Sequence, residues 1–162
     1  MAFGVTQLLR QEVQKAMTSI EQRLKALEDE HQIRALAEFF ADVCMTGNVQ
    51  CFEALWIKDG IWTLSQPLNI ESRGRDNIAK LFLKLATGKR FFCQKLHSGI
   101  ITISGDKATA RWILSENAAN HDGSLYQSTA TYDDRLVFDD GRWLFQARYC
   151  KFLDISHTGN NS

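Results

Sequence analysis

Proline is nearly absent from this sequence: Pro67 is the only one in 162 residues. Little therefore interrupts long helices or strands, and a proline-rich linker between domains is excluded. Excess charge of one sign is missing as well. Lys plus Arg and Asp plus Glu number 19 each, for a formal net charge of zero. No basic stripe interleaves with aromatics, so nucleic acid is not an expected partner. No apolar run approaches the roughly 20 residues of a membrane helix, so no membrane association is expected either. The N-terminal stretch MAFGVTQLLRQEVQKAMTSIEQ has no basic start, apolar core or small-residue cleavage site. It does not read as a secretory signal, and a cytoplasmic location is expected. Cysteines are few, at positions 44, 51, 93 and 150, with no C-x-x-C pair. They read as reduced thiols among apolar neighbours, not as a disulfide framework. Catalytic templates are absent too: there is no G-x-S-x-G, P-loop, G-x-G-x-x-G or H-E-x-x-H. The histidines at 31, 97, 121 and 157 lie on separate elements without ligand spacing, so neither a metal nor another cofactor is expected.

What is present suffices for one domain with a single sizeable core, in an α+β layout. Residues 6–46 carry helical periodicity without Pro or Gly. Val13, Met17, Ile20, Leu24 and Leu27 recur at alternating spacings of four and three, a coiled-coil-type seam. Such a seam belongs either to a helix packed on its own domain or to one packed on a neighbouring subunit. Glu28-Asp29-Glu30 suggests a helix break, after which Ile33, Leu36, Ala37, Phe40, Val43 and Cys44 mark a second helix ending near Gly47. Phe52, Leu55 and Trp56 suggest a short third helix. Asp59-Gly60 reads as a turn into the strand IWTLSQ, followed by the short strand NIESRG. Asp76 is the expected N-cap of NIAKLFLKLAT, with Gly88 closing that helix. Four long strands follow, with hairpin signals at Gly105-Asp106 and Asp140-Gly141. The acidic DDR and DDG segments read as solvated edges and turns. The expected organisation is a helical extension over 1–26, a domain over 27–156 and a disordered tail over 157–162.

A long antiparallel sheet twists and, closed by helices, encloses a small-molecule pocket. Period-two alternation places His97 on a face with Gly99, Ile101 and Ile103. It places Glu116 at the end of the apolar row Ala108, Ala110, Trp112 and Leu114. Pairing through Gly105-Asp106 sets residue 97 near 114, with Glu116 one same-face step along, within roughly 5–8 Å. A histidine beside a carboxylate is suited to proton transfer. Phe40, Met45, Trp62, Trp112 and Leu114 are the expected pocket wall, and Tyr132 a candidate donor to a substrate carbonyl.

The segments IRALAEFFADVC, FEALWIKDGIWTL, GRDNIAKLF, LHSGIITISGDKATARWIL and YDDRLVFDDGRWLFQARY, in this order, give a further indication. Across residues 27–154 the chain resembles the SnoaL-like branch of the nuclear-transport-factor-2-like superfamily. The resemblance implies a cone of curved, mostly antiparallel sheet with N-terminal helices over an apolar pocket, and a homodimer or homotrimer. It implies cofactor-independent chemistry of the dehydratase, dehydrochlorinase, isomerase or cyclase type, built on a helix Asp and a strand His. The strand His matches His97. The helix Asp matches Met45, which cannot orient an imidazole, so Glu116, or Asp42 one turn earlier, would have to serve. The resulting expectation is a lyase, isomerase or cyclase acting on a small, largely apolar metabolite. The alternative is a binding or oligomerisation module that has lost the dyad.

Overall fold

The computed structural model describes residues 2–158. Helix α1 (Ala2–Thr46) runs unbroken, against the expectation of an interruption at 28–30. Two i,i+4 ion pairs bridge that stretch, Lys25–Asp29 and Arg34–Glu30, each at 2.8 Å, and they hold the acidic run in helix. Asp29 also accepts from the Trp143 indole at 3.0 Å, which ties the helix to the sheet. Gly47, at φ 72°, ends α1 with its amide donating to the Val43 carbonyl.

Helix α2 (Val49–Glu53) is capped by Asn48, whose side chain accepts from the Cys51 amide. Strand β1 (Trp56–Leu64) takes in Trp56 and also Asp59-Gly60, which form an irregular segment inside the strand instead of a turn before it. After β2 (Ile70–Arg73), helix α3 (Arg75–Thr87) starts one residue before Asp76. Gly74 holds the N-cap position, and Asp76 lies in the first turn, where a carboxylate favours the helix dipole. Strands β3 (Lys89–Ser104), β4 (Lys107–Asn120), β5 (Leu125–Asp139) and β6 (Arg142–Thr158) complete the chain. Asp140 and Gly141 both take positive φ in the β5–β6 turn, as the hairpin signal implied. Strand β6 carries His157 into the sheet where a tail was expected, and residues 159–162 lie outside the described residues.

The six strands form one curved, unclosed sheet in the order β2-β1-β6-β5-β4-β3. All pairs are antiparallel except β1 with β6. Helices α1 and α3 pack on the sheet and α2 on those helices, with an aromatic core between. Phe40 stands at the centre, its ring 5.2 Å from Phe52, 5.6 Å from Tyr132 and 5.7 Å from Phe145. Within this core the Arg148 guanidinium lies 4.0 Å from the Tyr132 ring and pairs in bidentate fashion with Asp134, at 2.8 and 2.7 Å. Trp112 donates to the same carboxylate at 2.9 Å. Asp134 is thus a core residue, whereas its neighbour Asp133 is exposed, as expected of a solvated DDR segment. Of the helices among the described residues, none is long and apolar enough to cross a membrane.

Candidate functional site

Beside the aromatic core, between the end of α1, α3 and the sheet, lies a cavity of about 670 Å³. Its walls are mainly apolar: Trp62 from β1, Phe82 and Leu85 from α3, Phe92 from β3, and Phe152 and Ile155 from β6. Into this surface β4 projects the carboxylate of Glu116, which is buried yet lines the cavity. Its Oε1 accepts from Gln94 Nε2 at 2.8 Å and its Oε2 from the Ser128 hydroxyl at 3.0 Å. The Tyr126 hydroxyl approaches Oε2 at 3.5 Å. Cross-strand pairing builds this cluster, because Glu116 stands opposite Gln94 on β3 and opposite Ser128 on β5. Gln94 Nε2 uses its second proton on the Tyr132 hydroxyl at 2.7 Å, which leaves Gln94 Oε1 buried without a partner among the described residues.

Burial outweighs these hydrogen bonds and pushes the Glu116 carboxyl above its usual range. Lys89, at the start of β3, sits over the Tyr126 ring at 4.7 Å and lines the same cavity. Burial lowers its ammonium, with the Glu116 charge acting in the opposite sense. Burial likewise pushes up the hydroxyls of Tyr126 and Tyr132 and the thiols of Cys44 and Cys150. Those two thiols are therefore poor nucleophiles at neutral pH. The titratable groups lining the cavity include one carboxylic acid, Glu116, together with Lys89, Tyr126, Tyr132 and His157.

Of the residues expected from sequence, Glu116, Trp62, Tyr132 and Met45 line the cavity. His97 does not. It is exposed, and its Nε2 lies 2.9 Å from the Ser115 hydroxyl on the outer face of the sheet. The cause is one extra residue in β3. Leu96 pairs with Leu114 and Gly99 with Trp112, so a bulge sits at 97–98 and reverses the parity on which the expectation depended. Gln94, not His97, is therefore the residue of β3 that faces Glu116. Asp42 is exposed on α1 and does not line the cavity, because Ala41 and Val43 on either side of it are buried. Phe40, Trp112 and Leu114 belong to the packed core behind the cavity and not to its wall.

Sequence reasoning missed Gln94, Ser128, Tyr126, Lys89 and His157, all but Ser128 of which line the cavity. The one local signal for the bulge is Gly99. A Cβ there would overlap the Trp112 ring, so the absence of a side chain at that position marks where two strands approach closely.

The sheet and its helices match solved structures closely in shape and weakly in sequence. A candidate aromatic ring hydroxylase from Novosphingobium aromaticivorans superposes with a TM-score of 0.77 at 19% identity, over 82% of this chain and 94% of that one. A candidate scytalone dehydratase from the same organism gives 0.76 at 16%, over 85% and 92%. The hexachlorocyclohexane dehydrochlorinase of Novosphingobium barchaimii gives 0.76 at 14%, over 85% and 94%. At such identities the likeness is one of fold. No curated protein matches the sequence. The family model for the SnoaL-like domain matches residues 25–149, and the chain belongs to that family.

Proposed function

We propose that this protein is a cofactor-independent enzyme of the lyase or isomerase type, with Glu116 as its acid–base group. The observation that carries the reading is a carboxyl group, raised by burial, at the wall of a mainly apolar cavity. A carboxylate lifted toward neutrality is suited to take a proton from carbon and to return it. The cavity fits a small, largely apolar substrate with an activating carbonyl. Glu116 would remove the proton beside that carbonyl, and the C–H electron pair would move into a new double bond. Tyr132 holds a phenolic proton that no described residue accepts, which suits it to stabilise the enolate oxygen. Returning the proton to a second carbon gives an isomerisation, and departure of a leaving group gives an elimination. Fold neighbours that include a candidate dehydratase and a dehydrochlorinase support this class. Gln94 and Ser128 position the carboxylate, while no Asp stands with a His on the cavity wall among the described residues.

Carbon acidity supplies a test that does not require the natural substrate. Small cyclic ketones incubated in D₂O with the protein should exchange their α-protons faster than buffer allows, as followed by NMR. Glu116→Gln should lower that rate by about 10²–10⁴-fold, the usual range for a general base. Equal exchange by the variant would refute the role of Glu116. Tight binding of ketones with no exchange in the wild type would favour a binding module instead.

A further inference from the structure

The apolar seam of α1 has no partner among the described residues of its own chain. Val13, Met17, Ile20, Leu24 and Leu27 are all exposed, Ile20 at 62% and Leu27 at 65%. At about 100° of rotation per residue, they fall on the side of the helix opposite Ile33, Ala37 and Phe40, which are buried against the sheet. The seam therefore cannot pack on this domain without detaching α1 from the core. His31, Ala35 and Glu38 continue the outward side and are exposed, so among the described residues none obstructs a second helix lying along the seam.

We infer that the seam binds further copies of the same chain in a parallel helical bundle. The spacing assigns Val13, Ile20 and Leu27 to d positions and Met17 and Leu24 to a positions of a heptad. Arg23 then occupies g and Glu21 and Glu28 occupy e. In a parallel arrangement Arg23 of one copy meets Glu28 of the next, an attractive pair. Neither residue has an ion-pair partner within its own chain among the described residues. An antiparallel arrangement would set e against e and bring glutamates together. β-branched residues at two d positions with Met and Leu at a disfavour a two-stranded coil, so the bundle holds more than two helices. Such a bundle places the cones side by side at one end and leaves each cavity with its own chain.

Sedimentation equilibrium on the full chain tests this. The wild type should self-associate beyond a dimer, and Leu24→Glu should weaken association at least about tenfold. Circular dichroism melting should show the variant domain intact, because Leu24 touches nothing in the core. Arg23→Glu and Glu28→Arg should each weaken assembly, and an equimolar mixture of the two should recover it. A wild type that stays monomeric, or an assembly indifferent to Leu24→Glu, overturns the inference. Absence of recovery in the mixture overturns the parallel arrangement.

Discussion

Asp134 and Glu116, two of the buried carboxylates, face opposite electrostatic conditions. Asp134 has a guanidinium and an indole directed at it, and the pair with Arg148 is fully enclosed. Removing one partner of such a pair strands the other charge, at a cost of about 3–5 kcal/mol. Asp134→Leu and Arg148→Met should each destabilise the domain by about that much. The double variant should lose much less than the sum, as measured by urea unfolding in a double-mutant cycle. Strict additivity would show that the two groups do not act as a pair. Glu116 has hydrogen bonds but no salt bridge among the described residues, and burial raises its carboxyl. The folded protein therefore holds that proton to higher pH than the unfolded chain does. Stability contributed by the protonated form is lost as pH rises from the ordinary carboxylate range through the raised value. Glu116→Gln carries no such penalty and can still accept from Gln94 and donate to Ser128. The variant should gain stability relative to wild type as pH rises, as read from urea midpoints across pH. A gap that is constant, or that reverses, would contradict the raised carboxyl.

At the scale of elements, the sequence was informative wherever a local rule held. Gly47 and the Asp140-Gly141 turn ended their elements with the positive φ their residues favour, Gly88 closed α3 in an ordinary right-handed conformation, and the alternating rows of β4 defined its buried face correctly. It misled where one residue changed a count. The bulge at 97–98 is marked in the sequence by Gly99 alone, yet it exchanges His97 for Gln94 in front of Glu116. Helix α1 misled in the other direction, because i,i+4 ion pairs stabilised an acidic run that reads as a break. Gly99 keeps the bulged strand close to Trp112. Gly99→Ala should cost about 1–3 kcal/mol, the range for overpacking, as measured by thermal or urea unfolding. A neutral result would mean that β3 can move away from the Trp112 ring freely.

At the scale of the whole molecule, the α+β layout and its helix-covered sheet follow from helical periodicity followed by long alternating strands. The ordering of the six strands, with β1 parallel to β6, does not, because it is set by contacts between residues far apart in the chain. The cavity has the same origin: Gln94, Glu116, Ser128 and Tyr126 come from three strands, and no sequence spacing brings them together. Glu116 lines the cavity, and the histidine assigned to work with it stands on the other face of the sheet. The most direct measurement is therefore α-proton exchange of a bound cyclic ketone in D₂O, run in parallel on wild type, Glu116→Gln and His97→Ala. The expected result is exchange retained in His97→Ala and lost by about 10²–10⁴-fold in Glu116→Gln. Exchange lost in His97→Ala and kept in Glu116→Gln would contradict a reaction centred on the Glu116 carboxylate.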